Sequence, residues 1–234
     1  MKNWKVLLCC ILMALSPISM VMFLIEGGDF WFWMIFGSLV GAALLYLWHF
    51  KPVFYLCLLF SCGSVMSQNM QGLPDSAYSL TKDKVTYNPA YVKIAYPNGD
   101  VPANTGVCTD VIIRAYRKVG VDLQKLVHQD MVANFNLYPT KWGRKSADSN
   151  IDHRRVANLM TFFNRYATIK AVNTFYYPGD IVVWDLGRGI LHIGILSTYV
   201  SKDGSHHLVI HNIGKGQIME DCLYSYRIIA HYKY

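Results

Sequence analysis

Cysteine is scarce where cross-linking would need it. Of six in 234 residues, Cys9, Cys10, Cys57 and Cys62 fall in the apolar beginning of the chain, leaving Cys108 and Cys222 for the rest. Two thiols make no disulfide framework, although one Cys108 to Cys222 bridge stays open for a domain facing an oxidising compartment. Charge is scarce too: the first 66 residues carry only Lys2, Lys5, Glu26, Asp29 and Lys51. Internal repeats, low-complexity tracts and glycine-rich phosphate loops are missing, which excludes solenoids and the common nucleotide-binding loops. No nucleic-acid motif accompanies the net charge of +7. That excess therefore reads as a solvated basic surface, and nucleic acid is not an expected partner.

What is abundant is apolar surface, 53% of the residues, and it is concentrated at the start. Val6 to Ile25 and Phe30 to Trp48 are each long enough to cross a bilayer. The second is flanked by Trp31, Trp33, Trp48 and Phe50, as rings at headgroup level are, and carries the close-packing pair Gly37 and Gly41. Val53 to Met66 is shorter, a length typical of signal-peptide cores and interfacial segments, and Leu59-Phe60-Ser61-Cys62 within it faintly resembles a lipoprotein cleavage box. Lys2, Lys5 and Lys51 set the first two spans with a cytoplasmic N-terminus. If the third run crosses, which its near lack of charge favours, the remainder lies outside the cytoplasmic membrane. The expected organisation is a membrane region of two or three helices over 1–68, a linker over 69–84 and a globular domain over 85–234.

The chain after residue 66 keeps 19 of the 22 basic and 13 of the 15 acidic residues. Thr105-Gly106-Val107 precedes Cys108, after which Val111, Ile112, Ala115 and Val119 recur at helical spacing until Gly120. Asp122 to Asn134 predicts a helix capped by Asp122, and Asp152 is placed to cap another running to about Arg165. The period then shortens. Ile181 to Trp184, Ile190 to Leu196, His207 to Ile213 and Tyr226 to Tyr232 predict strands, with a reversal at Asp203-Gly204, so the sheet is expected to be antiparallel and sequential. Helices followed by meandering strands describe an α+β domain.

Cys108 sits in the first turn of its helix, where free N–H groups and the positive end of the macrodipole favour a thiolate. The same residue would serve as an inert core thiol. A nucleophile needs a base, and His192 interrupts an otherwise apolar strand with Gly194 on its face. His211, on the following strand, is the candidate to orient that base, with Asn212 as fallback. A strict two-residue turn at Asp203-Gly204 would leave His211 roughly 13 Å out of register at ~3.3 Å per residue, so a bulge or longer loop between Tyr199 and His206 is required. Asp110 points back toward the helix start and fits a dipole-supporting role. His153, Arg154 and Arg155 could clamp a substrate carboxylate or form a solvated first turn. His128 with Asp130 reads as a local pair. A metal site at His206, His207 and His211 lacks cysteine or carboxylate partners at ligand spacing, so no metal or cofactor is expected.

The helix-start cysteine, Pro178-Gly179-Asp180-Ile181-Val182, His192-Ile193-Gly194-Ile195 and Ile210-His211-Asn212 together resemble the NlpC-type cell-wall peptidases, which share the papain-like fold. More closely, Asn88-Pro89-Ala90-Tyr91, Gly99 to Ala103, Gly106 to Asp110, Asn150 to Val156 and the closing His231-Tyr232-Lys233-Tyr234 resemble an uncharacterised bacterial domain-of-unknown-function family of that clan. The resemblance covers about Val85 to Tyr234. It implies a papain-like α+β fold and a Cys108, His192 and His211 triad acting on amide bonds. Where NlpC-type enzymes usually carry Asp-Cys-Ser, this chain has Val107-Cys108-Thr109, which leaves the substrate class open.

The function expected is a thiol hydrolase of the amidase or endopeptidase type, anchored in the bacterial inner membrane with its catalytic domain facing the periplasm or the outside and acting on peptidoglycan peptides. The alternatives are a lipid acyltransferase or thioesterase of the same fold, and a non-catalytic cell-wall-binding domain.

Overall fold

The computed structural model describes residues 70–234. The expected membrane runs and the cleavage-box resemblance at Cys62 lie outside the described residues. Among the described residues no helix is long and apolar enough to cross a membrane.

The segment expected to be a linker carries a helix, α1 (Leu73–Leu80), with Pro74 in its first turn, where proline's fixed φ suits helix entry. Leu73, Ala77 and Leu80 fall on one face and are buried against the next helix and the main sheet. That apolar face orders the segment. Two short strands, β1 (Thr86–Tyr87) and β2 (Thr105–Gly106), then pair in parallel.

The central helix is α2 (Cys108–Lys118), and every residue from Cys108 to Tyr116 is buried. A helix apolar or satisfied on all sides belongs in the interior. Its start is fixed by Asp110, which accepts the Val107 N–H at 2.7 Å. Valine has no side-chain acceptor to return the bond. Both Asp110 oxygens also receive the Arg154 guanidinium, Nε to Oδ1 at 2.9 Å and Nη2 to Oδ2 at 3.0 Å, with both side chains almost wholly buried.

Helix α3 (Leu123–Ala133) starts as expected, with the Asp122 carboxylate accepting the Lys125 N–H at 3.3 Å. The third long helix differs from expectation. Asp152–Arg154 is a turn of 3₁₀ helix, and α4 (Val156–Tyr166) begins after an extended Arg155 that makes no side-chain cap. Asp152 does not cap α4, because its carboxylate faces the Asp148 N–H and His128 instead.

Six strands form the main sheet: β3 (Thr168–Lys170), β4 (Ile181–Asp185), β5 (Leu191–Val200), β6 (His207–His211), β7 (Ile218–Glu220) and β8 (Arg227–Lys233). All pairings are antiparallel, in the order β3-β8-β4-β5-β6-β7. The α+β class stands, but the sequential order does not. β8 returns to lie between β3 and β4, and the three-residue β3 and β7 were too short to show a period in the sequence.

Both faces of the sheet are covered. Ile181, Val183, Ile193, Ile195 and Ile210 pack with the helices in one apolar cluster, while Val182, Trp184, Leu196 and Val209 pack with Tyr176, Cys222 and Leu223 in a second. This explains why β4 reads as an uninterrupted apolar run. The required shift of register is present, but it lies between Leu196 and Val200 and not between Tyr199 and His206: Leu196 pairs with Val209 but Val200 with His207, a two-residue shift. Gly194 marks a close approach of the second layer to the strand. A Cβ there would stand 2.6 Å from Val209 Cγ1 and 3.0 Å from the Trp184 ring.

Two stability outcomes follow. Gly194→Ala is expected to cost ~1–3 kcal/mol by overpacking against Val209 and Trp184, read as a fall in the thermal midpoint. Arg154→Met leaves the Asp110 carboxylate buried without its counter-ion at a cost of ~3–5 kcal/mol, and adding Asp110→Asn should recover part of that loss in denaturant titrations.

Candidate active site

Cys108 occupies the first position of α2 and lines a cleft of about 320 Å³, together with Tyr87, Pro89, Trp142, Arg155 and Leu191. The cleft explains why a 6% exposed thiol is still within reach of a small group. Burial pushes the Cys108 thiol up to about 11. The Ile193 N–H of β5 and the N–H groups of Thr109 and Cys108 itself pull the other way, and Asp110 adds to the rise. The expectation of a depressed thiol is overturned: the helix start is as foreseen, but desolvation outweighs it.

On the sheet, the His192 ring stacks on Trp184, with centroids 5.5 Å apart at 22°. Its Nε2 lies 2.8 Å from His211 Nδ1. The bulge makes this contact. Ile195 pairs with Ile210, and continuing that register sets Gly194 opposite His211, which leaves the two histidines as diagonal neighbours on one face. His211 Nε2 lies 3.1 Å from Glu220 Oε2 and 3.5 Å from the Cys222 sulfur. Asn212, the fallback, is used elsewhere: its Nδ2 donates to the Gly106 carbonyl at 3.2 Å and ties down the strand before Cys108.

Glu220 sets the direction of this chain of bonds. Burial raises its carboxyl, but bonds from Lys215 and His211 more than offset that, and it stays below the ordinary carboxylate value. An ionised carboxylate only accepts, so His211 donates from Nε2 and accepts at Nδ1. His192 then donates from Nε2, and its Nδ1 carries the lone pair. Burial first, and then neighbouring His211, push His192 down to about 3, so the ring is neutral. Burial also lowers His211, against the pull of Glu220.

Cys108 and His192 lie on opposite sides of β5, so the expected thiol–imidazole pair is not formed in the structure. The sulfur packs in the helix-side cluster and takes its strand contact from the Ile193 N–H, one residue from His192, whereas the His192 ring lies against Trp184. Among the described residues no hydrogen bond joins the thiol to the His192 ring.

The remaining candidates separate. Arg154 borders the cleft, but its fork is spent on Asp110 and its Nη1 donates to the Ala90 carbonyl at 3.2 Å. Asp110 is wholly occupied in the helix start. His153 is buried outside the cleft with no partner for Nδ1, and is pushed down to about 3 by burial and then by Arg154. Arg155 alone of that trio keeps a free guanidinium in the cleft, lying over the Trp142 ring at 4.4 Å. Trp142 escaped sequence reading because it lies in an irregular loop.

Three expectations are corrected. His128 pairs with Asp152, Nδ1 to Oδ2 at 3.5 Å, and Asp130 with Tyr138, Arg165 and Tyr166, because residues two apart on a helix point to different sides. Cys108 and Cys222 are free thiols in clusters on opposite faces of the sheet, which rules out the bridge. His206 bonds Asp221 at 2.6 Å and does not join His207 and His211, whereas His211 does have a cysteine and a carboxylate beside it. Glu220 and Cys222 sit close to one another in sequence, an i,i+2 signal that went unread because the short β7 was not foreseen.

The domain-of-unknown-function model DUF1287 matches residues 75–234. A curated relative, "Uncharacterized protein YijF" of Escherichia coli (strain K12), is 50% identical over 165 residues, which is 69% of this chain and 80% of that protein. The matched region takes in Cys108, His192, His211, Glu220 and Cys222, and on this footing the chain belongs to the DUF1287 family.

Proposed function

We propose that this protein is a thiol hydrolase of the NlpC-like, papain-fold kind, cleaving amide bonds in peptides of the cell wall from a membrane anchor formed by its first 68 residues. The observation that carries the reading is the chain Glu220, His211, His192, which ends in an imidazole lone pair one residue from the N–H that contacts the cleft thiol.

In this mechanism the Cys108 sulfur attacks the substrate carbonyl as its proton passes to His192 Nδ1. The thiol and the ring both start neutral, so the proton moves during attack rather than before it. His211 receives the hydrogen bond from His192 Nε2 and is itself held by Glu220, which stabilises the imidazolium as it forms. The tetrahedral oxyanion accepts the Cys108 N–H and a neighbouring N–H at the start of α2. His192 then gives its proton to the leaving amine, and water releases the acyl group from sulfur. Arg155 supplies a bidentate donor at the cleft for a substrate carboxylate. The thiol and the His192 ring share no hydrogen bond in the structure and lie on opposite sides of β5, so the proton transfer requires the two to rearrange on substrate binding.

Incubating the full chain in detergent with peptidoglycan fragments should yield new amine termini by mass spectrometry. Cys108→Ala should abolish them and His192→Ala should lower the rate by about 10²-fold or more. Unchanged fragments with altered lipids would favour acyl transfer, and no turnover of either would leave a binding domain. Separately, iodoacetamide should label Cys108 slowly at pH 7, with a rate rising roughly tenfold per pH unit until the thiol ionises at about 11. A rate already level below pH 7 would mean a preformed thiolate and overturn the neutral starting pair.

A further inference from the structure

β7 and the turn after it bring a carboxylate and a thiol to the one His211 nitrogen that His192 does not use. Nε2 lies 3.1 Å from Glu220 Oε2 and 3.5 Å from the Cys222 sulfur, and all three donor atoms fall within 4.8 Å of one another. Tetrahedral zinc, with bonds of ~2.0–2.1 Å to nitrogen, ~2.3 Å to sulfur and ~2.0–2.2 Å to oxygen, sets its ligand atoms about 3.5 Å apart for N and S and about 3.4 Å apart for N and O. The two distances from His211 Nε2 are already close to those of a coordinated set.

We propose that His211, Glu220 and Cys222 form a three-ligand site for a borderline divalent cation of the zinc class, with water in the fourth position. The mixed nitrogen, sulfur and oxygen donors suit zinc or cobalt and do not suit magnesium or calcium. His211 and Cys222 are buried, and Glu220, whose side chain is 31% exposed, provides the way in. The supporting bonds are those of a metal-binding imidazole. The other nitrogen of His211 is held by His192, and the other Glu220 oxygen by Lys215 at 3.2 Å. Asp221, bonded to His206, adds a second negative charge beside the cysteine.

Metal capture has a consequence for His192. The cation displaces the Cys222 thiol proton to solvent and the proton on His211 Nε2, so that His211 keeps a single proton on Nδ1. His211 then donates to His192 Nε2, and His192 carries its own proton on Nδ1. One metal enters and one proton leaves. The nitrogen nearest the thiol becomes a donor and can no longer serve as a base, which makes the metal a brake on Cys108. This consequence rests on the hydrolase proposal; the site does not.

The test is a Co²⁺ titration of the reduced full chain in detergent. The expected result is visible tetrahedral bands and a near-ultraviolet thiolate-to-cobalt band saturating at one equivalent. Cys222→Ser should lose the thiolate band, Glu220→Gln should bind about 10-fold or more weakly, and Cys108→Ser should match the wild type. Should Cys222→Ser fail to fold by circular dichroism, the partly exposed Glu220→Gln decides alone. Spectra equal in wild type and Cys222→Ser, Glu220→Gln binding as tightly as wild type, or loss of the band in Cys108→Ser would overturn the site. Zn²⁺ at one equivalent should also slow amide cleavage. Cobalt binding as described with undiminished cleavage overturns the brake alone, and a metal-free wild type without cleavage counts against the hydrolase and leaves the cobalt result to judge the site.

Discussion

A buried carboxylate holds the start of the central helix. Asp110 accepts the N–H of Val107 and the fork of Arg154, and Thr109 donates to the Arg154 carbonyl at 3.2 Å. Arg154 in turn reaches the carbonyls of Ala90 and Asn88. Through one ion pair the cysteine turn, the 3₁₀ turn before α4 and the segment after β1 that walls the cleft are fixed to each other. A buried pair of this kind gains little stability over apolar residues of the same size, but removing either partner is costly, so its main effect is to specify one arrangement. The thiol at the first position of α2 is placed by that arrangement.

The sheet solves a second positional problem. Two histidines on neighbouring strands cannot share a hydrogen bond if four residues separate them along the strand, and the bulge between Leu196 and Val200 halves that offset. Gly194 does the rest, because a side chain there would meet Val209 and Trp184 and push the layer behind His192 outward. The ring of His192 is thereby pinned between Trp184 and His211, and its tautomer follows from a carboxylate two side chains away.

The parts legible in the sequence were those with a period or a cap. Cys108 at a helix start, Asp122 as a cap, the apolar β4 and the need for a bulge between the two histidine strands all follow from residue spacing, although the bulge falls before Val200 and not after Tyr199. Long-range features were not legible. Nothing local says that β8 inserts beside β4, or that Glu220 lands on His211, since both depend on which strand edges remain free once the meander has formed. Arg154 and Arg155 look alike in sequence, but one is buried against Asp110 and the other faces the cleft over Trp142. Residue type cannot separate them; burial does.

The chemistry of the thiol turns on a contest of magnitudes. Charge effects at a helix start are worth ~0.3–1 kcal/mol when exposed and up to ~2 kcal/mol when partly buried. Raising a thiol from 9.0 to about 11 corresponds to ~3 kcal/mol against the anion, so desolvation wins in the resting protein. The neighbouring imidazole obeys the same rule, since a buried cation would cost as the anion does. Two neutral groups are the cheapest occupants of a dry interior. In the proposed mechanism charge appears only when a reacting group supplies somewhere for it to go, and the N–H groups at the start of α2 and the Glu220 end of the histidine chain would be the two places to receive it.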